Sequence, residues 1–128
     1  MKEIPTQAIT GAVAELCIRA NYVLPPDVRR AIERARDEEP STLGREILGQ
    51  IIENADIAAQ GVYPLCQDTG LTVVWLELGQ EVHVTGGDLY EAVQEGVRRG
   101  YGEGYLRRSI VAHPFSSRVN TGGNTPAV

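Results

Sequence analysis

Apolar residues recur at helical spacing through the first half of the chain. Between Thr6 and Asn21, residues Ile9, Val13, Leu16, Cys17 and Ala20 fall at i, i+4, i+7, i+8 and i+11, which is one face of a helix. Leu24-Pro25-Pro26 stops it, because proline drives the residue before it away from helical angles. Asp27 reads as the cap of a short second helix, VRRAIERARDEE, with Val28 and Ile32 on one side and charge elsewhere, so largely exposed; Pro40 ends it. Ser41 then opens the strongest pattern: a hydroxyl cap followed by Leu43, Ile47, Leu48, Ile51, Ile52, Ala55 and Ala59. Gly61 ends that helix and Tyr63-Pro64 turns the chain.

The second half changes period. Residues 71–78 are a short, β-branched run, apolar on both faces at first, which predicts a buried strand. Gly79-Gln80 separates it from EVHVT, whose alternation suits a half-buried strand paired with the first as a hairpin. Gly86-Gly87-Asp88 turns into a helix, LYEAVQEGVRRGYGEG, with Leu89, Ala92, Val93 and Val97 inward. Past Tyr105 the chain is polar and proline-broken, with a strand expected at Ser109–Ala112. The sum is an α+β domain, an incomplete part of a larger one: a helical lead-in over 4–60, a loop over 61–70 and a β/α part over 71–128. The closing run RVNTGGNTPAV reads as a natural end or as a cut at a domain boundary.

Composition narrows the function classes. A 128-residue chain fits one domain and buries roughly two-thirds of its unfolded surface. The net charge of −5 gives no basic footprint for nucleic acid or an anionic membrane. No stretch is as apolar and long as a membrane span, and the N-terminus lacks the charged-then-apolar order of a signal peptide. Two cysteines in unlike surroundings give no disulfide framework, and the cytoplasm is the expected compartment.

Chemistry concentrates in residues 64–70, PLCQDTG. Cys17 sits in an apolar helical run; Cys66 sits on a loop bounded by proline and glycine, where it can be reached. A nucleophilic Cys66 would need a base, and His83 and His113, the two histidines, read as structural. As a metal ligand it would need companion thiolates. Gln67 and Asp68 supply an amide donor and a carboxylate beside it, suited to holding a substrate carboxylate and moving protons on a hydroxyl group. The same Asp68-Thr69-Gly70 is also an ordinary turn, with Asp68 bonding its own backbone. Arg107 and Arg108 offer the bidentate fork that binds planar carboxylates, although most arginines are solvated. Thr85-Gly86-Gly87-Asp88 reads as a turn and cap rather than an anion cradle. Residues 120–126, NTGGNTP, form either a binding loop or a tight corner leading to a further strand.

Taken together, PLCQDTG, the downstream LRRS and the terminal NTGGNTPAV resemble the alpha region of the iron–sulfur hydro-lyases, the class I fumarase and L-tartrate dehydratase family. The resemblance runs over essentially the whole chain. It implies that Cys66 matches the first of three cysteines holding a 4Fe-4S cluster whose open iron acts as a Lewis acid. It also implies that Gln67 and Asp68 line the substrate, with Asp68 handling the proton of the water lost or gained, and that Arg107 clamps a substrate carboxylate. Arg108 falls where the family varies, and Cys17 matches nothing in its pattern.

The expectation is then the N-terminal part of a hydro-lyase alpha subunit acting on a small dicarboxylate. Fumarate/malate, a step of the tricarboxylic acid cycle, is the first choice and tartrate the second. The remaining ligands and a catalytic base would come from a C-terminal region of the same enzyme or a beta subunit. The chain alone is expected to be inactive, and apolar surface left for those parts should be exposed, favouring a partner chain or a homo-oligomer. The alternatives are a non-catalytic folding, assembly or regulatory relative, with Cys66 a plain thiol, and a thiol enzyme pairing Cys66 with a histidine.

Overall fold

The structure, a computed structural model, describes residues 2–125. It is α+β, as expected, in the order β1 (Lys2–Pro5), α1 (Thr6–Tyr22), α2 (Pro26–Glu38), α3 (Thr42–Ala59), β2 (Val82–Thr85) and α4 (Leu89–Glu103). The chain divides into two compact units, one of residues 1–18 with 67–128 and one of residues 19–66. None of the described helices is long and apolar enough to cross a membrane.

In the first unit, α1 and α4 meet through a glycine stripe. A Cβ on Gly96 would lie 2.7 Å from the Thr10 carbonyl oxygen, one on Gly100 2.7 Å from that of Ala14, and one on Gly104 2.9 Å from Ile18 Cγ1. Only glycine lets the two backbones approach this far. The approach selects small residues on the opposite helix: the buried face of α1 is Thr10, Val13, Ala14 and Cys17. This corrects the expected stripe, since Leu16 is 61 % exposed and Ala20 is also outside. Leucine is the more apolar side chain, but it does not fit where the glycines bring the two backbones into contact. Thr10 turns its hydroxyl into the contact, donating to the Ala92 carbonyl at 2.9 Å. Val97 and Tyr101 complete the buried face of α4, and Asp88 caps that helix by accepting from the Glu91 N–H.

The sheet differs from the expected hairpin. β2 pairs in parallel with β1, in the register Lys2↔Val82 to Pro5↔Thr85. β1 is four residues of mixed character running straight into a helix, too short to show alternation, and its Pro5 falls at the strand end, where a missing N–H is tolerated. Residues 71–78, expected to be a buried strand, have neither strand nor helix and are mostly exposed, with Trp75 at 86 %. With β2 joined to β1, that run has no partner strand among the described residues. The strand expected at Ser109–Ala112 reduces to one antiparallel bridge, Val111↔Asn120.

In the second unit, α2 begins with Pro26 at its first position, and Asp27 lies in the first turn rather than capping, which corrects the sequence assignment. Proline needs no donor there, and the Asp27 carboxylate still meets the positive end of the helix. α2 buries no residue, as expected. Its link to α3 is polar: Arg29 donates to both oxygens of Asp56, at 2.6 and 3.3 Å, and to Glu33 at 2.8 Å. The Arg29 hydrogen bond holds the Asp56 carboxyl below the usual carboxylate range. Ser41 caps α3 by accepting from the Gly44 N–H, and Gly61, at φ 83°, takes the left-handed position after its end. Only Ile52, Ala55 and Ala58 of α3 are buried; Leu43, Ile47 and Ile51 form an exposed apolar row.

The helical glycines give a sharp test of the packing. Gly100→Ala should destabilise the protein by about 1–3 kcal/mol, because overpacking against fixed backbone outweighs a helix-propensity gain of about 1 kcal/mol. Gly11→Ala and Gly49→Ala, where an added Cβ meets nothing within 4 Å, should instead stabilise by about 0.4–1 kcal/mol. Urea unfolding of the three variants reads this directly, and equal shifts in all three would contradict the packing.

Candidate active site

Within the first unit, three segments far apart in sequence are tied together by two side chains, Thr69 and Asn124. Thr69 hydroxyl accepts from the Arg107 N–H at 2.9 Å and donates to the Arg107 carbonyl at 3.1 Å. The same residue's carbonyl accepts from the Tyr101 phenol of α4 at 3.2 Å. A single threonine thus fixes the QDTG loop against the LRRS segment, and α4 holds both in place.

Asn124 makes the second tie. Its side chain has no exposed surface. Oδ1 accepts from the Ser109 and Ile110 N–H groups at 2.6 and 3.2 Å, and Nδ2 donates to the Gly70 carbonyl at 2.7 Å. Its own carbonyl accepts from the Thr72 N–H at 3.1 Å. The backbone is left-handed at φ 48°, a conformation asparagine adopts more readily than other side-chain-bearing residues. Asn120 adds an outer contact, donating to the Arg108 carbonyl while accepting from the Gly122 N–H. Thr72 also hydrogen-bonds Cys17, whose thiol is pushed up by burial, with that bond opposing the shift. The loop network is therefore rooted in the face of α1 that packs on α4.

These ties set where the candidate residues stand. Asp68 precedes Thr69 and is exposed; its Oδ1 accepts from the Gly70 N–H at 3.2 Å, so the turn anticipated from Asp68-Thr69-Gly70 is formed. Gln67 and Arg107 are exposed, and among the described residues neither the Gln67 amide nor the Arg107 guanidinium has a hydrogen-bonded partner. A carboxylate and an arginine thus stand on two stretches of backbone that Thr69 ties together, and both residues are exposed. Asp88 serves as a helix cap, and His83 and His113 are exposed.

Cys66 closes the other unit. The residue before it is pinned twice: the Leu65 N–H donates to the Asn21 carbonyl at 2.8 Å, and Asn54 Nδ2 donates to the Leu65 carbonyl at 2.8 Å. Neither cysteine is in a disulfide among the described residues; Cys66 is exposed and Cys17 buried. Among the described residues no group of three His, Cys, Asp or Glu side chains is placed to hold a metal ion.

Thr69, Tyr101 and Asn124 are the contributors that sequence reasoning did not identify. The density of turn formers over 120–125 was the available signal, and the structure turns the chain there with the Asn124 side chain bonded inward. Pro126, Ala127 and Val128, the end of the NTGGNTPAV pattern, lie outside the described residues, as does any strand expected to follow.

Comparison with known proteins agrees with the motif pattern. The fumarate hydratase (Fumerase) family matches residues 10–128, and the chain belongs to it. It is 36 % identical over 124 residues to a putative L(+)-tartrate dehydratase subunit alpha of Methanocaldococcus jannaschii, covering 94 % of this chain and 43 % of that protein. It is 35 % identical over 127 residues to the aerobic class I fumarate hydratase of Escherichia coli K12, covering 98 % of this chain and 23 % of that one. Against the L(+)-tartrate dehydratase subunit alpha of the same organism the identity is 27 % over 124 residues, covering 97 % and 40 %. The chain therefore spans less than half the length of these relatives.

Asn124→Ala should cost about 2–4 kcal/mol, because it removes a fully buried amide and leaves two backbone donors and one acceptor, in part-buried bonds, without their partner. Asn120→Ala, at an exposed position, should cost about 1 kcal/mol or less. Denaturant midpoints of both variants measure the difference, and losses of equal size would remove Asn124 from its central position.

Proposed function

We propose that this chain is the N-terminal part of the alpha region of an iron–sulfur-dependent hydro-lyase that reversibly adds water to a small unsaturated dicarboxylate. Fumarate/malate is the leading substrate pair, followed by tartrate dehydration. The observation that carries the reading is the double tie from Thr69 to Arg107, which sets the QDTG loop beside the LRRS arginine in a chain of the fumarate hydratase family.

In the dehydration direction a C–H and a C–O bond on adjacent carbons break, a C=C bond forms and water leaves. The guanidinium of Arg107 holds one substrate carboxylate through paired hydrogen bonds, with charge that survives at any working pH. The Gln67 amide donates to a substrate oxygen and orients the diacid. Asp68 exchanges the proton of the departing or attacking water; its Oδ1 is held by the Gly70 N–H, leaving the carboxylate exposed.

Cys66, exposed and free, fits one thiolate ligand of a 4Fe-4S cluster. The described residues offer no further set of ligands, so by itself this chain does not fit the whole cluster. Bound through Cys66 and ligands from the rest of the protein, the cluster would supply Lewis-acid polarisation of the hydroxyl to be lost. The tartrate dehydratase relatives are named as alpha subunits. By analogy, a beta subunit or a C-terminal region would bring the catalytic base, in the cytoplasm, and the 128-residue chain alone would be inactive.

Anaerobic reconstitution of the complete protein with iron and sulfide should give a broad visible absorption band that Cys66→Ala abolishes. Asp68→Asn should keep the band and lower kcat on malate or tartrate by about 10²–10⁴-fold. A band unaffected by Cys66→Ala would remove that residue from the cluster. Full turnover in Asp68→Asn would remove it from the chemistry, and no hydration activity at all would favour the non-catalytic alternative.

A further inference from the structure

Residues 71–78 pose a question that neither the family nor the site answers. Their sequence, LTVVWLEL, is β-branched and apolar, the composition of a core strand. In the structure they form no strand, and among the described residues the main-chain groups of 73–78 have no hydrogen-bonded partner. Leu71, Val73, Val74, Trp75, Leu76 and Leu78 are all at least 40 % exposed. An unpaired apolar segment of this kind is ordinarily covered, because its backbone groups template another strand.

The segment also forms one wall of a cleft. Thr72, Val74, Leu76 and Leu78, with Val73, line a cavity of about 530 Å³. Leu89, Tyr90, Val93 and Gln94 of α4 form the opposite wall. From Thr72 to Leu78 the lining takes every second residue, as an extended segment does, with Val73 in addition. Among the described residues the walls carry no charged side chain, so the cleft suits apolar residues rather than a diacid. Thr125, the last described residue, lines it as well, so the chain reaches this cleft as it passes out of the described region. The matched relatives carry more than twice the chain aligned here, since the alignments cover 43 % and 23 % of their lengths.

We infer that residues 71–78 are an open strand edge and that the cleft beside them receives an apolar β-strand of the same polypeptide, from the part past residue 128. The added strand bonds the free backbone of 73–78 and sets its alternate side chains against Leu89 and Val93. The inference rests on family length and on the cleft, not on the substrate, so it can fail while the proposed function stands, and the reverse.

Hydrogen exchange in the complete protein should slow the amides of 73–78 by about 100-fold or more relative to an unstructured peptide. A photoreactive residue in place of Leu76 should crosslink to a segment past residue 128 of the same chain, with a yield independent of protein concentration. Amides that exchange at the unstructured rate overturn the inference. So do crosslinks between two copies, to a separate polypeptide, or confined within residues 2–125. The exchange measurement uses the unaltered protein and stands even if the substituted protein fails to fold.

Discussion

The side-chain amide of Asn124 has no surface in contact with solvent, and its three hydrogen bonds end on two different stretches of backbone. Burying such a group without partners costs several times what one hydrogen bond returns, so the arrangement is favourable only when every bond is made at once. That condition makes the amide a geometric constraint. Gly70, Ser109 and Ile110 must all arrive in register, and the loop carrying Asp68 and the segment carrying Arg107 are set by it. Thr69 repeats the logic with one hydroxyl that donates and accepts on the same residue, Arg107. Little regular secondary structure supports these segments, so side chains perform the work that a sheet ladder does elsewhere.

The network stands on the helix pair beneath it. Tyr101 reaches from α4 to the Thr69 carbonyl, and Thr72 reaches to Cys17 on α1. Both contacts depend on how closely the helices approach, which Gly96, Gly100 and Gly104 determine. The buried thiol of Cys17 thus has a packing role, while Cys66 is exposed. The missing Cβ atoms in the packing seam let the two helices meet backbone to backbone, while Arg107 and Gln67 stand exposed at the surface.

How far the sequence was legible follows from the range of each interaction. α1, α3 and α4 were readable because helix periodicity and the Ser41 and Asp88 caps are local signals. The exact face of α1 was not, because the glycine stripe that rotates it lies on a helix more than 80 residues along, as the Thr10–Ala92 bond shows. β1 was invisible for the same reason, its partner being β2 at the far end of a long crossover. Residues 71–78 were misread in a more instructive way. Composition reports that a segment is suited to a strand, while pairing requires a neighbour that the described residues do not provide. At the candidate site, Cys66, Gln67, Asp68 and Arg107 were proposed from the motif, whereas Thr69 and Asn124 act across 38 and 54 residues and carry no local signature.

The most direct test of this account is residue-resolved amide exchange at Arg107, Ser109 and Ile110 in the complete protein. Their N–H groups are taken by side chains rather than by a ladder or helix. If Thr69 and Asn124 hold the site together, these three amides should be protected by about the same factor as the buried turns of α4, opening only with the surrounding unit. Exchange at the rate of a free loop, alongside a protected α4, would contradict it.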